Sequence, residues 1–458
     1  MTFVLFIIGC NKNAIQPNAT LQFSSDSVFI DTVITQLGTS TQELIVYNPH
    51  KKTVVISSIK MANGSNSEFI FNVNGMGTGE QKDIEIRPND SIYIFIQAKL
   101  KKNNVDTVVT HEDKLIFTLN DKVQDVKIVS WGRDASFIKN QTIQTTTWTA
   151  SKSFLIFDSL TVDVGQTLTI EEGVMVLFKP RANLIIKGTL VVKGTIEKPV
   201  IFEGYRLESR YQNIPGQWGS IILSSSSSNN TIKNAVITDG TSGFVFESSS
   251  KQVDLDLENV IINQMSYSGL TCYGSKIRAI NCVFANCCSY ILELKEGGDY
   301  QFTHTTISNN SRNNCNSSAN KPSIYIDNYK LDGTVKSPKD LVNASFKNCI
   351  IYGNYEDFSE FNSIPNALYN MTFVNSLLYE SKRNSYMDPT SGLIKPSDKV
   401  FSKHEKGFAL DSASVARNFG DLSIGTLYPF DIKGRSRIVD GKPDIGAYEY
   451  FKDTTKAK

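Results

Sequence analysis

The sequence predicts an almost all-β protein in two parts, short alternating strands followed by a stack of repeated three-strand coils. The first observation is a repeat. Segments reading IKNAVI, LENVII, AINCVF, FTHTTI, FKNCII and FVNSLL return between residues 232 and 378, with Asn234, Asn259, Asn281, His304, Asn348 and Asn375 in third place. Their spacings are 25, 22, 23, 44 and 27 residues, and a period near 22 rich in β-branched residues is too short for most helical repeats but fits one coil of three short strands. The second observation is period-two alternation over residues 25–135. The third is that no long apolar stripe of period 3.6 occurs anywhere in the chain.

A chain of 458 residues supports two to three domains with ample material for their cores. Lys plus Arg number 47 against 46 Asp plus Glu, so no long-range field draws in nucleic acid, and nucleic-acid binding is disfavoured. No stretch approaches the roughly 20 apolar residues needed to span a bilayer. Of seven cysteines, Cys10 stands alone, and Cys272, Cys282, Cys287, Cys288, Cys315 and Cys349 fall in the repeat region without metal-ligand spacing. Cys282 and Cys349 each follow a repeat position two coils apart, about 10 Å at about 4.8 Å per coil, beyond disulfide reach. Buried free thiols are the expectation, with Cys287 or Cys288 to Cys315 the one pair worth testing.

Residues 3–9, FVLFIIG, form an apolar run ending at Cys10. With Ile7, Ile8 and Gly9 before the cysteine, residues 1–10 resemble a bacterial lipoprotein signal, although Met1 and Thr2 supply no basic residue. The resemblance implies diacylation of Cys10, an anchor of two or three acyl chains, and a place in the cell envelope as an outer-membrane lipoprotein of a Gram-negative bacterium. It leaves the periplasmic or surface facing open. Residues 11–24 read as a polar tether.

Over 25–135 the runs VFIDTVI, ELIVYN, TVVISSI, FIFNV, SIYIFIQAKL, KLIFTL and DVKIVSW are separated by turn formers such as Asn48-Pro49 and Asn63-Gly64. About seven strands at that spacing describe an Ig-like β-sandwich. The stretches ELIVYNPHKKTVVISSI and IEIRPNDSIYIFIQ look like Ig-like modules related to those of cilia and spindle proteins. A spacer or adhesion role is implied. Several Asp-Ser/Thr-aliphatic triplets, DSV at 26 and DTV at 31 among them, are similar to O-glycosylation acceptors of exported proteins.

After a Thr-rich joint at 142–149, the run LTVDVGQTLTIEEGVMVLFKPRANLIIKGTLVVKGTIEKPVIFEG repeats TLTI as TLVV 22 residues on. It resembles the opening coils of right-handed parallel β-helix proteins, the pectin-lyase-like solenoids, and GQWGSIIL at 216–223 fits the same family. Residues 136–395 are assigned to that β-helix. The Asn segments then have a physical reading. Each coil bends sharply between two of its sheets, and the bend favours a left-handed residue, which Asn tolerates best after Gly. Stacked amides can bond along the column and to the bend backbone, at about 1 kcal/mol net each. His304 is read as a ladder substitute rather than a catalytic imidazole. The 44-residue step is one coil carrying two polar insertions, NNSRNNCNSSANKP and NYKLDGTVKSPKD, a candidate binding rim.

Residues 396–450 hold GFALDSASVARNFG and DIKGRSRIVDGKPDIGAYEY, which closely resemble the ending of bacterial β-helix lipoproteins, with Ser414-Val415-Ala416 where that family has Ser-Pro-Ala. A cap over the exposed strand edges of the last coil is expected, tied by a bidentate contact from Arg437 to Glu449 or Asp444. Residues 451–458 are a tail.

The clustered Asp pairs, Gly-His-Gly and Arg-x-Lys of galacturonase-type β-helix enzymes are absent, and His50, His111, His304 and His404 are scattered over different modules. Asp254 with Asp256, and Glu293 with Lys295, alternate on strands and read as solvated faces. The loop EGYRLESRYQNIPGQW gathers Tyr205, Arg206, Arg210 and Tyr211, a combination able to stack on and hydrogen-bond a sugar, whereas Trp218 reads as structural. The expectation is a non-catalytic, lipid-anchored envelope protein that presents a β-helix to a polysaccharide or another envelope protein, with no cofactor or metal. The alternative is a polysaccharide lyase or glycoside hydrolase acting on the β-helix surface.

Overall fold

The computed structural model describes residues 15–105, 107–120, 122–248, 252–309, 315, 323–353, 359–402 and 407–452. Cys10, His404 and all of the first insertion after Asn309 except Cys315 lie outside these residues, as does most of the tail. The protein is nearly all β, with long parallel sheets, and divides into two compact units. One comprises residues up to Ala135 together with Arg206–Tyr211, the other Ser136–Tyr205 and the chain from Gln212 onward.

In the first unit, alternating strands build two sheets. Gln22–Phe23, Gln42–Tyr47, Ser91–Ala98 and Phe69–Val73 pair antiparallel in that spatial order. The other sheet orders Ser27–Ile34, Lys122–Arg133, Val109–Leu119, Val54–Met61 and Gln81–Ile86, its first pair parallel and the rest antiparallel. Alternation sends Leu44, Val46, Ile94 and Ile96 of one sheet and Ile30, Ile56, Phe117 and Ile128 of the other into a single core.

The second unit is a set of parallel strand stacks. An 18-stranded sheet carries two strands from most levels of the chain, and a nine-stranded sheet carries the third. In the nine-stranded sheet Leu160, Leu184, Ile221, Phe244, Leu270, Leu292 and Ile324 occupy matching register positions on successive strands. All seven are fully buried in one continuous core. Inward residues therefore stack like on like, and the strands hold their register because a slip of one residue would turn that column outward.

The 44-residue step contains one level. Gly298–Thr303 pairs with Leu341–Lys347, Thr306–Asn309 with Ile350–Gly353, and Leu292–Lys295 with Ile324–Asp327. The second insertion forms a hairpin, Tyr329–Asp332 against Val335–Pro338, exposed except at Tyr329. Cys288 is bonded to Cys315, while Cys272, Cys282, Cys287 and Cys349 are buried thiols. The expectation of buried thiols thus holds for four and is corrected for this pair, whose Cα atoms the fold brings to 5.3 Å, within disulfide range.

The C-terminal residues pack on the strand stacks at two places. Gly392–Leu393 pairs onto Leu377–Leu378, and Ile394, Val400, Leu410, Ala416 and Ile445 pack on Ile350 and Leu377 near that end. From there the chain runs back along the flank, where Ile432, Ala447 and Tyr448 cover Val283 and Ala285 several levels earlier. A flank needs this cover because Val283 and Ala285 point away from the core and would otherwise lie in water.

Candidate functional site

Between the two strand columns of the large sheet the chain turns at the Asn segments. Asn234, Asn259, Asn281, His304, Asn348 and Asn375 all have φ between 45° and 56°, the left-handed region. The turn at Asn234 shows how tight the bend is: its Nδ2 donates to Gly194 O at 2.9 Å, and a Cβ on Gly194 would lie 2.0 Å from Asn234 O. Among the described residues, amides bond along the column at two steps, Asn259 Nδ2 to Asn234 Oδ1 at 3.1 Å and Asn348 Nδ2 to His304 Nε2 at 3.1 Å. In between, Asn281 turns to the C-terminal segment, donating to Phe430 O and accepting from Arg437 Nη2 at 3.0 Å.

Arg437 is fully buried and donates to the carbonyls of Asp444, Gly446 and Ala447. Its contact with Glu449 is a single one at 3.5 Å, so the expected bidentate carboxylate tie is replaced by a guanidinium shared among carbonyls and Asn281. Burial pushes Glu449 up to about 9, the Asp444 charge adding to it and Arg437 opposing. His304 is 0% exposed, and burial, then the charge of Arg437, holds it well below the usual imidazole range. A neutral ring accepting from Asn348 and closed to water is built as a ladder member.

A second left-handed column lies at the next bend, where Asp239, Gln264 and Asn286 have φ of 63°, 56° and 51°. Sequence reading missed it because three different residue types share the position. Asp239 is buried there, which pushes it up to about 7; the nearby Glu203 charge adds to this and a hydrogen bond from Thr238 Oγ1 opposes it.

The loop residues Tyr205, Arg206, Arg210 and Tyr211 do not form one constellation within either unit. Arg206 is held by Glu208 through three contacts of 2.7–3.1 Å and lies over the Tyr211 ring at 4.3 Å. Arg210 donates to Thr41 O, and the Tyr205 ring is covered by Lys179 Nζ at 3.5 Å. Trp218 is buried, stacked on Phe178 at 4.2 Å, with its Nε1 donating to Thr238 O. Asp256 makes a two-point contact with Arg278 on an exposed strand face, and Asp254 accepts from Asn229 N.

The outward face of the nine-stranded sheet is different. Thr271, Glu293, Tyr325 and Glu360 share one register row across Ser268–Tyr273, Leu292–Lys295, Ile324–Asp327 and Ser359–Asn362. Tyr273 and Lys295 pair in the adjacent row, as do Asp327 and Asn362. Glu293 is only 2% exposed, although its strand alternation alone reads as a solvated face. Its carboxylate accepts from Tyr267 OH at 3.1 and 3.2 Å and from Thr271 Oγ1 at 3.1 Å, and it pairs with Lys295 Nζ at 2.7 Å.

Rings cover this ion pair in a row. The Tyr267 and Tyr290 centroids are 6.3 Å apart, Tyr290 and Tyr325 5.7 Å, and Tyr325 OH meets Tyr329 OH at 3.5 Å. Tyr267 is 39% exposed. Burial raises the Tyr267 and Tyr325 hydroxyls above the usual phenol range, reinforced at Tyr267 by Glu293 and at Tyr325 by Tyr329, so both stay protonated donors. Burial works to lower Lys295, but its hydrogen bond and charge interaction with Glu293 outweigh that and leave it raised. Asp327, which accepts from Glu296 N at 2.8 Å, is raised by burial.

The Cys288–Cys315 bond anchors the first insertion two residues before Tyr290, and the hairpin of the second begins at Tyr329, where Lys336 Nζ lies 4.0 Å from the ring centre. The sequence did carry a signal for this face. Tyr267 and Tyr290 each follow a serine, 23 residues apart, ahead of consecutive strands of one stack.

No protein-family model matches this chain, and no curated protein matches it. Solved structures that it resembles include a family 123 glycoside hydrolase from Clostridium perfringens, studied for glycolipid glycan hydrolysis, at 10% identity and a TM-score of 0.18. That match covers 26% of this chain and 30% of the other, so the chain spans less than a third of that enzyme. Another is the catalytic domain of a GH87 alpha-1,3-glucanase in complex with tetrasaccharides, at 9% identity and a TM-score of 0.23, covering 74% of this chain and 82% of that one.

Proposed function

We propose that this chain is a lipid-anchored cell-envelope protein, acylated at Cys10, in which an Ig-like module carries a right-handed parallel β-helix that binds glycan without cleaving it. The observation that carries the reading is the tyrosine row over Glu293 and Lys295. Rings fixed on a rigid sheet offer flat apolar area at low entropic cost, and their hydroxyls together with the ion pair beneath offer hydrogen bonds to a sugar. A disulfide beside that row fits an exported protein in an oxidising compartment.

Glu293 also favours binding over catalysis. Tyr267, Thr271 and Lys295 occupy its carboxylate, so it is a poor acceptor for a substrate proton. The second reading, a glycoside hydrolase or polysaccharide lyase, is favoured by one feature, the burial-raised Asp327 carboxyl within the electrostatic reach of Lys295, the kind of group that serves as a general acid. A glycan array probed with the full chain, followed by assays for reducing ends and unsaturated uronates, separates the two. Retention of a glycan with no product supports binding, and product release from any polysaccharide overturns it.

A further inference from the structure

The four strands that present the tyrosine row carry an unbalanced set of charges. Outward positions on Ser268–Tyr273, Leu292–Lys295, Ile324–Asp327 and Ser359–Asn362 hold the carboxyls of Glu293, Asp327 and Glu360 but one cation, Lys295. That ammonium is engaged by Glu293 at 2.7 Å, and the carboxylate is buried, so the pair interacts through little water. At the Glu293 end of the row, away from Lys336 at Tyr329, a uronate or sulfate ester would have to draw Lys295 off a buried partner, stranding the Glu293 charge, and would meet the field of the Asp327 and Glu360 carboxyls. An uncharged sugar has neither cost. Its hydroxyls can donate to the phenol oxygen of Tyr267, whose own proton goes to Glu293, and to the exposed Glu360 carboxyl, while its C–H faces rest on the rings.

Resting on the glycan-binding reading of this face, we infer that it takes a neutral oligosaccharide and discriminates against uronic-acid chains, with Glu293 acting as the residue that masks Lys295. Glu293 is in this sense a specificity-determining residue. Removing its charge while keeping its shape frees the ammonium for an anionic ligand and leaves the stacking surface in place.

Isothermal titration of the full chain with xylohexaose, laminarihexaose and maltohexaose, against hexagalacturonate of the same length, tests this. At least one neutral hexasaccharide is expected to bind tenfold or more tighter than hexagalacturonate, and Glu293→Gln is expected to narrow that ratio, with hexagalacturonate gaining affinity and no neutral hexasaccharide gaining as much. The wild-type comparison stands even where the variant fails to fold. Equal or tighter binding of hexagalacturonate overturns the inference and leaves the glycan reading standing. Binding of none of the four, or neutral binding unchanged in a Tyr267→Ala, Tyr325→Ala double variant, overturns both.

Discussion

Two polar columns run through the same parallel stacks, and they are spent differently. At the left-handed bend, Asn234, Asn259, Asn281 and Asn348 turn their amides toward backbone, toward a neighbouring member of the column or toward Arg437, and the C-terminal segment covers the column around Asn281, His304 and Asn348. On the outward face of the nine-stranded sheet, Tyr267, Tyr273 and Tyr325 keep part of their rings in water over the Glu293–Lys295 pair. Repetition therefore does not by itself distinguish scaffold from site. What distinguishes them is whether the column is covered by the fold or left with a surface open above it.

Breaking the covered column should have the largest effect. Arg437→Met removes the donor shared by three carbonyls and Asn281, and a loss of about 3–5 kcal/mol is expected for a buried charge network opened on one side. Urea unfolding measures it, and an unchanged midpoint would remove the flank segment from the stability account. Asn281→Leu cuts the same network from the other side and is expected to lower the melting temperature by several degrees.

Next in size is a pH dependence from the second bend. Asp239 holds its proton in the folded protein up to about 7, whereas an unfolded aspartate releases it near 3.9. The stabilisation is fully present below about 4 and is lost as pH rises through about 7, at roughly 1.4 kcal/mol per unit in between at most. Asp239→Asn should reduce the fall of the melting temperature across that window, leaving the part contributed by the raised Glu449. A variant as pH-sensitive as the wild type would place the proton elsewhere.

The open column sharpens the contrast through binding. Tyr267→Ala removes a ring that is 39% exposed, and a loss of about 1.4 kcal/mol, near tenfold in affinity, is expected for a neutral oligosaccharide with little change in melting temperature. Smallest of all is Arg278→Ala, which breaks the exposed contact with Asp256 and should cost under about 1 kcal/mol. A larger loss in urea unfolding would mean that this face, too, is covered.

Much of the scaffold is legible in the sequence because one physical constraint repeats. A bend needing positive φ selects Asn at five of the six repeat positions, and the inward stack selects Leu, Ile and Phe at fixed offsets. The 44-residue step could be resolved into one level by the same offsets. The flank segment was harder. Its contacts join Arg437 to Asn281 and Ala447 to Thr306, separations of 156 and 141 residues, and no local pattern encodes them. The tyrosine face was hidden for another reason. Alternation on LELK places Glu293 outward, as it is, but only the rings from Tyr267 and Tyr290, on neighbouring levels, make that position buried.

The most direct test of the contrast is a thermal-shift titration of wild type, Asn281→Leu and Tyr267→Ala with the tightest-binding neutral hexasaccharide. The account predicts that Asn281→Leu melts several degrees lower yet shows the wild-type shift and affinity, whereas Tyr267→Ala melts as wild type and loses about tenfold in affinity. A ligand shift abolished by Asn281→Leu and retained by Tyr267→Ala would contradict it.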